Sequence, residues 1–229
     1  MGGTVILADG TTVALRRTAR ARRMTLRVSR RDGTVTLTLP PRLPQAEALA
    51  FLDARRDWLA RALAGVESPR AVDFGTALPV EGRLLTLTPA ALRAPRAEAD
   101  ALLLPAGRRA GTTAAAFLRT LAHARLAEAS DRHAGALGRR FAAITLRDTR
   151  SRWGSCTQDG RLMYSWRLAM APPEVLDYVA AHEVAHLAHM DHSATFWGAV
   201  ARLCPSYAQP RAWLRRNGAG LHIWRFRDV

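Results

Sequence analysis

The chain has 229 residues, 48% of them apolar, which suits one large domain or a main domain with a smaller one and excludes a disordered chain. Two distant cysteines, Cys156 and Cys204, exclude a disulfide scaffold, and no apolar run reaches membrane-spanning length, so a soluble, cytoplasmic, reducing setting with no cleaved leader is expected. The net charge is +15, from 34 basic and 19 acidic residues, and every basic residue is arginine. A general bias toward Arg explains the choice of residue but not the excess, which leaves nucleic acid as a candidate partner.

Residues 4–17 alternate around the turn dipeptide Asp9-Gly10 and predict a hairpin. Met24, Leu26 and Val28 alternate with polar residues, and after Arg31-Asp32-Gly33 so do Val35, Leu37 and Leu39, which predicts a second hairpin with one buried face. Between and around these strands Arg16, Arg17, Arg20, Arg22 and Arg23 form the basic cluster best suited to phosphate contacts. Pro40-Pro41 stops the strand, and Ala48, Phe51, Leu52, Trp58, Leu59 and Leu63 recur at helical spacing from Pro44 to about Ala64.

Leu78–Val80, Leu84–Thr88 and Ala101–Leu104 are short apolar runs broken by Gly and Pro, which predicts further strands. A long Ala-rich helix follows from about Thr112 to Leu137, closed by Gly138; its His123 and His133 are off any ligand spacing and are expected at the surface or half-buried. The expected fold class is α+β, with a β-rich region of hairpins and one helix over 1–107 and a second domain over 108–229.

Ile144–Thr149 and Arg161–Leu168 predict two strands around Gln158-Asp159-Gly160, and Ala171-Pro172-Pro173-Glu174 the entry to a helix running to about Met190. That helix carries His182-Glu183-Val184-Ala185-His186. Residues i and i+4 share a helix face about 6 Å apart, so His182 and His186 can direct neutral imidazoles at one metal ion. A catalytic zinc keeps three protein ligands and an open position. His189 would sit about 10 Å along the axis from His182, whereas Met190-Asp191 can end the helix and let His192 fold back, so His192 is assigned as the third ligand of Zn2+. Glu183 lies beside the ion without holding it, where a carboxylate can take a proton from an activated water. The competing readings are a core helix that binds nothing and a purely structural ion; His192 argues against the first, and against the second that structural sites are usually closed by four ligands rich in Cys, while no Cys is nearby in sequence. After His192, Ser193 can cap a helix whose Phe196 and Trp197 would floor the site; Pro210–Arg216 reads as a last short helix, and Leu221–Phe226 as a docked tail.

Arg152-Trp153-Gly154-Ser155-Cys156, Trp166-Arg167-Leu168, Ala171-Pro172-Pro173, Asp177-Tyr178-Val179, His182 through His192 with Ser193, Phe196 and Trp197, and Trp213-Leu214 together resemble the YgjP-like metallopeptidases, relatives of SprT-type and other zincin-fold proteases. The likeness extends through the N-terminal half, from Arg23-Met24-Thr25-Leu26 to Trp58. It implies a zincin-like metallopeptidase domain, zinc at His182, His186 and His192, Glu183 as catalytic base, and a peptide or protein substrate. Ala180-Ala181 and Val184 depart from the family's bulkier apolar residues but leave the chemistry intact. The Arg-Trp-Gly-Ser-Cys stretch is expected to brace the hairpin against the ligand helix, with Arg152 able to reach the site, and Cys156 is at no standard ligand spacing. Proteases with this fold pair extended substrate with an edge strand, a role expected here of Arg161–Leu168. Tyr178, Tyr207 and His222 are expected to pack or cap.

Overall fold

A computed structural model describes residues 3–29, 32–66 and 68–226, and the chain forms two compact units, residues 1–69 and 70–229. The boundary expected at 107/108 therefore lies inside the second unit, where the strands before it and the helix after it share one core.

In the first unit, β1 (Gly3–Ile6) and β2 (Thr12–Arg17) form the expected antiparallel hairpin, and β3 (Thr25–Val28) and β4 (Val35–Leu39) the second. Arg31, expected in the second turn, lies outside the described residues, but Gly33 adopts a φ of 69°, the left-handed conformation such a turn requires. β2 and β4 join in parallel, giving the order β1-β2-β4-β3. Val13, Leu15, Val35, Leu37 and Leu39 fall on one face by strand alternation and bury against Ala48, Leu52 and Leu59. The single helix expected from Pro44 to Ala64 is two, α1 (Gln45–Asp53) and α2 (Arg56–Ala64). The break falls at Ala54-Arg55, where the Arg55 N–H donates three residues back to the Leu52 carbonyl and the charged Arg55-Arg56 pair gives this turn nothing to bury. Arg17 is not available to a phosphate: its guanidinium donates to the carbonyls of Pro40, Pro41 and Leu43 and holds the turn after β4, while Arg16, Arg20, Arg22 and Arg23 are exposed.

The second unit starts with β5 (Arg70–Ala71), then β6 (Ala77–Val80), β7 (Arg83–Ala90), β8 (Arg96–Ala97) and β9 (Ala101–Pro105), the last four in a sheet of order β6-β7-β9-β8. The long helix α3 (Ala110–Leu137) ends as expected at Gly138, whose φ of 66° lets Gly138 and Arg139 donate their N–H groups back to the last turn. Next come β10 (Ala143–Arg147), β11 (Gly154–Cys156), β12 (Arg161–Ser165) and a 3-10 turn over Trp166–Met170, then α4 (Pro173–Ala185), α5 (Ala194–Leu203), α6 (Ala208–Asn217), a 3-10 turn over Gly218–His222 and β13 (Trp224–Arg225), which pairs with β5.

The Gln158-Asp159-Gly160 turn joins β11 to β12, while β10 runs parallel to β12 on its other side. β12 is therefore the central strand of a β10-β12-β11 sheet. Both its edges are paired, so it is not the edge strand that the sequence suggested, and its last three expected residues belong to the 3-10 turn.

One core joins Leu78, Leu85, Leu87, Leu102 and Leu104 of the β6-β7-β9-β8 sheet to Leu118, Leu126 and Leu162 and to the inner face of α4. Polar pins supplement it. Ser130 of α3 and Tyr164 of β12 share a buried hydrogen bond of 3.0 Å. His133, expected at the surface or half-buried, is buried, and its Nε2–H donates to Asp177 of α4 at 2.9 Å. The buried Arg167 binds Asp148 at 2.7 Å and donates to the carbonyls of Leu221 and Trp224, while its guanidinium lies 4.8 Å from the Trp166 ring; this docks the tail. Among the described residues no helix is long and apolar enough to cross a membrane.

Candidate metal centre

Pro173 opens α4 at a position where its missing N–H costs nothing, and Glu174 in the first turn complements the helix dipole. Val175, Leu176, Tyr178, Val179, Ala180, Ala181, Val184 and Ala185 are buried, so the helix is held on most of its circumference. It ends at Ala185, not near Met190. Leu187 and Ala188 donate their N–H groups three residues back, which tightens the last turn. The His186 Nδ1–H takes the His189 carbonyl at 2.9 Å, so a ligand-type side chain stabilises the reversal that a glycine usually supplies. Asp191 then accepts from the Ser193 N–H at 3.1 Å, and the Ser193 hydroxyl accepts from the Phe196 N–H to cap α5. Between these turns, His192 is carried back to the helix.

His182, His186 and His192 each offer one nitrogen, and these atoms lie within 4.8 Å of one another. The Nε2 atoms of His182 and His192 are 3.3 Å apart. Two nitrogens bound tetrahedrally at about 2.0–2.1 Å would be separated by about 3.3–3.4 Å, so this pair already stands at a ligand-to-ligand distance. His189 contributes its backbone carbonyl and not its ring. The buried Phe196 ring lies 4.9 Å from His182, 4.4 Å from His186 and 4.9 Å from His192, with Trp197 beyond it, so this aromatic pair floors the cluster. Burial, reinforced by the neighbouring imidazoles, pushes His182 down to about 4, and burial also lowers His186. Both are therefore neutral near pH 7, the form that donates a lone pair to a metal. His182 Nδ1 is buried with no hydrogen-bond partner among the described residues. Three convergent imidazoles with no carboxylate among them fit a borderline-soft divalent ion.

Glu183 is 5% exposed, and burial pushes its carboxyl up to about 8 against the opposing charge of Arg152. The backbone of β11 lies directly on it. A Cβ added at Gly154 would be 2.5 Å from Glu183 Oε1 and 2.6 Å from its Cγ, so only glycine lets the strand approach. This gives the Arg-Trp-Gly-Ser-Cys stretch a physical role: Gly154 shapes the Glu183 slot, Arg152 supplies the nearby positive charge, and Trp153 stacks on His222 at 5.0 Å. The Cys156 thiol is pushed up to about 11 by burial and then by Glu183 and Asp159, so it stays protonated and is neither a ready nucleophile nor a ready ligand. Tyr178, Tyr207 and Trp197 stack in sequence, with Arg211 4.3 Å over Trp197, and form one wall beside His182.

Sequence reasoning missed the Asp177–His133 and Arg167–Asp148 pins. Asp177 and Arg167 stood within quoted motifs, but their partners, 44 and 19 residues away, carried no local signal.

The family model described as the YgjP-like metallopeptidase domain matches residues 22–217, well over half of the chain. Among solved structures, the metallopeptidase zymogen abylysin of Pyrococcus abyssi is 18% identical, over 39% of this chain and 93% of its own, with a TM-score of 0.36. No curated protein matches.

Proposed function

Since the chain belongs to the YgjP-like metallopeptidase family, we propose that it hydrolyses peptide bonds as a zinc enzyme, with zinc held by His182, His186 and His192 and Glu183 acting as general base. The observation that carries this reading is the convergence of three imidazole nitrogens within 4.8 Å beside a carboxylate that is buried but not part of their cluster. When bound, zinc supplies Lewis-acid polarisation of a carbonyl and acidifies water near it.

Glu183 accepts the proton released from the attacking water and returns it to the departing amine. Its burial favours holding that proton between the two steps, and the positive charge of Arg152 opposes that bias. Gly154 confines the side chain from the strand side, which limits the rotamers from which the transfer can occur. β11 pairs on one side only among the described residues. A face of this strand packs on Glu183 at Gly154, and an extended peptide can add at its unpaired edge by backbone pairing, a role that passes from Arg161–Leu168 to Gly154–Cys156.

Glu183→Gln keeps the size of the side chain but removes the base, so peptide cleavage should fall about 10²–10⁴-fold with metal content unchanged. Wild-type cleavage by a metal-loaded Glu183→Gln variant would refute the mechanism.

A further inference from the structure

Beside the cluster is an open cleft of about 630 Å³ that reaches His186. Three segments wall it: the turn after α3 with Arg139 and Arg140, the Thr157–Gly160 turn between β11 and β12, and the stretch from His186 to Met190 after the ligand helix. The walls are tied together. Gly138 and Arg139 are bonded back to α3, and the Ala142 N–H donates to the Gly160 carbonyl at 2.8 Å, which fixes the two turns to each other.

The charges on these walls are one-sided. Arg139 and Arg140 are exposed and line the cleft, and neither forms an ion pair or side-chain hydrogen bond with the described residues. The acidic residue lining it, Asp159, is already engaged by the Arg161 guanidinium at 2.7 Å and by the Thr157 hydroxyl. Arg152 adds positive charge near Glu183 and Arg211 near His182, while Asp191, the acidic group felt by His186, is turned to Ser193. A carboxylate entering the cleft finds two uncommitted guanidinium groups in a pocket that a metal ligand also lines, whereas an ammonium group meets those two positive charges against one carboxylate, Asp159, that Arg161 and Thr157 already engage.

We propose that Arg139 and Arg140 form a subsite for a carboxylate of the substrate near the scissile bond, which makes acidic polypeptides the preferred substrate class. The proposal rests on the peptidase reading for the bond cleaved, but not for the binding of the carboxylate. The carboxylate can be an acidic side chain or a chain terminus, and the test separates them.

The probes are ten-residue alanine-based peptides carrying one Glu, Gln or Lys at successive positions, each with a free or an amidated C-terminus. Binding is measured by fluorescence anisotropy on the metal-loaded Glu183→Gln full chain, and kcat/KM on the wild type. Each is repeated with Arg139→Glu/Arg140→Glu, whose folding is checked by thermal melting. Glu peptides should bind and be cleaved on the order of tenfold better than Gln peptides, with Lys peptides poorest, and high salt should compress the range. The double variant should invert the Glu-to-Lys ratio. Selectivity that follows the free C-terminus assigns the terminal carboxylate; selectivity that follows the Glu position assigns a side chain. Equal binding of Glu, Gln and Lys peptides, no binding of any, or an equal loss on all of them in the double variant overturns the subsite. Carboxylate-selective binding without cleavage leaves the subsite standing and removes the peptidase reading; cleavage without selectivity does the opposite.

Discussion

Gly154→Ala probes the contact between β11 and the base. The new methyl carbon would stand 2.5 Å from Glu183 Oε1, 2.6 Å from Cγ and 2.7 Å from Cδ, where real Cβ contacts lie above 3.0 Å. The side chain cannot yield at its tip alone, because Cγ is caught as well, and a group only 5% exposed has little space to enter. Either Glu183 changes rotamer or β11 lifts from α4 by at least ~0.5 Å; overpacking of this kind costs about 1–3 kcal/mol. Misplacement on the scale of 1 Å can cost about 10²-fold in rate, so a loss of roughly 10–100-fold in kcat is expected. The three heavy atoms nearest the added methyl all belong to Glu183, which is not part of the imidazole cluster, and metal content should hold. Thermal melts and kcat on metal-analysed protein give both quantities. A cycle with Glu183→Ala isolates the cause, since removing the carboxylate removes the clash: Gly154→Ala should destabilise the wild type but hardly destabilise the Glu183→Ala background. Full activity in Gly154→Ala, or equal destabilisation in both backgrounds, would refute the argument.

His192→Ala should strip or greatly weaken zinc, while His189→Ala should leave it near full occupancy, because His189 contributes its carbonyl and that survives the substitution; elemental analysis reads the difference, and the reverse pattern rejects the ligand set. Asp177 gives the pH prediction. Burial alone would raise its carboxyl, but the hydrogen bond and charge of His133 and the ion pair with Arg132 outweigh it and hold the group below its ordinary 3.8. A depressed carboxyl stabilises the fold fully above its unfolded-state value, and the contribution is lost as pH falls through the folded one. Asp177→Ala should therefore cost roughly 1–3 kcal/mol at neutral pH, with the gap to wild type closing in acid below the ordinary carboxylate range; a gap constant with pH in chemical denaturation rejects the ion-pair account.

Local patterns predicted most of the elements. Alternation placed both N-terminal hairpins, and Gly138 marked the end of α3 because a glycine in the left-handed conformation is a common way to close a helix. The His182-to-His186 spacing is a property of the helix itself, and His192 followed from asking which histidine a reversed chain could return. The failures share a cause: they depend on partners distant in sequence. Nothing near Arg161–Leu168 indicates that β10 will pair on its far side, because a parallel neighbour arrives through a separate crossing of the chain. Nor does Arg17 differ locally from Arg16, yet three carbonyls of the turn after β4 occupy it.

The early end of α4 has the same origin and a larger consequence. Residues from Val184 to His189 contain no glycine or proline, and their helical propensity alone favours running on. What stops the helix is the His186 ring, whose Nδ1–H holds the His189 carbonyl. That bond commits Nδ1 as a donor and leaves Nε2 as the lone-pair nitrogen, so one contact both ends the helix and fixes the tautomer a ligand needs. It also releases the chain at the point from which His192 can return to within 3.3 Å of His182. The second half of the cluster thus depends on the first: the side chain that offers one nitrogen to a metal uses the other to bring the third histidine home.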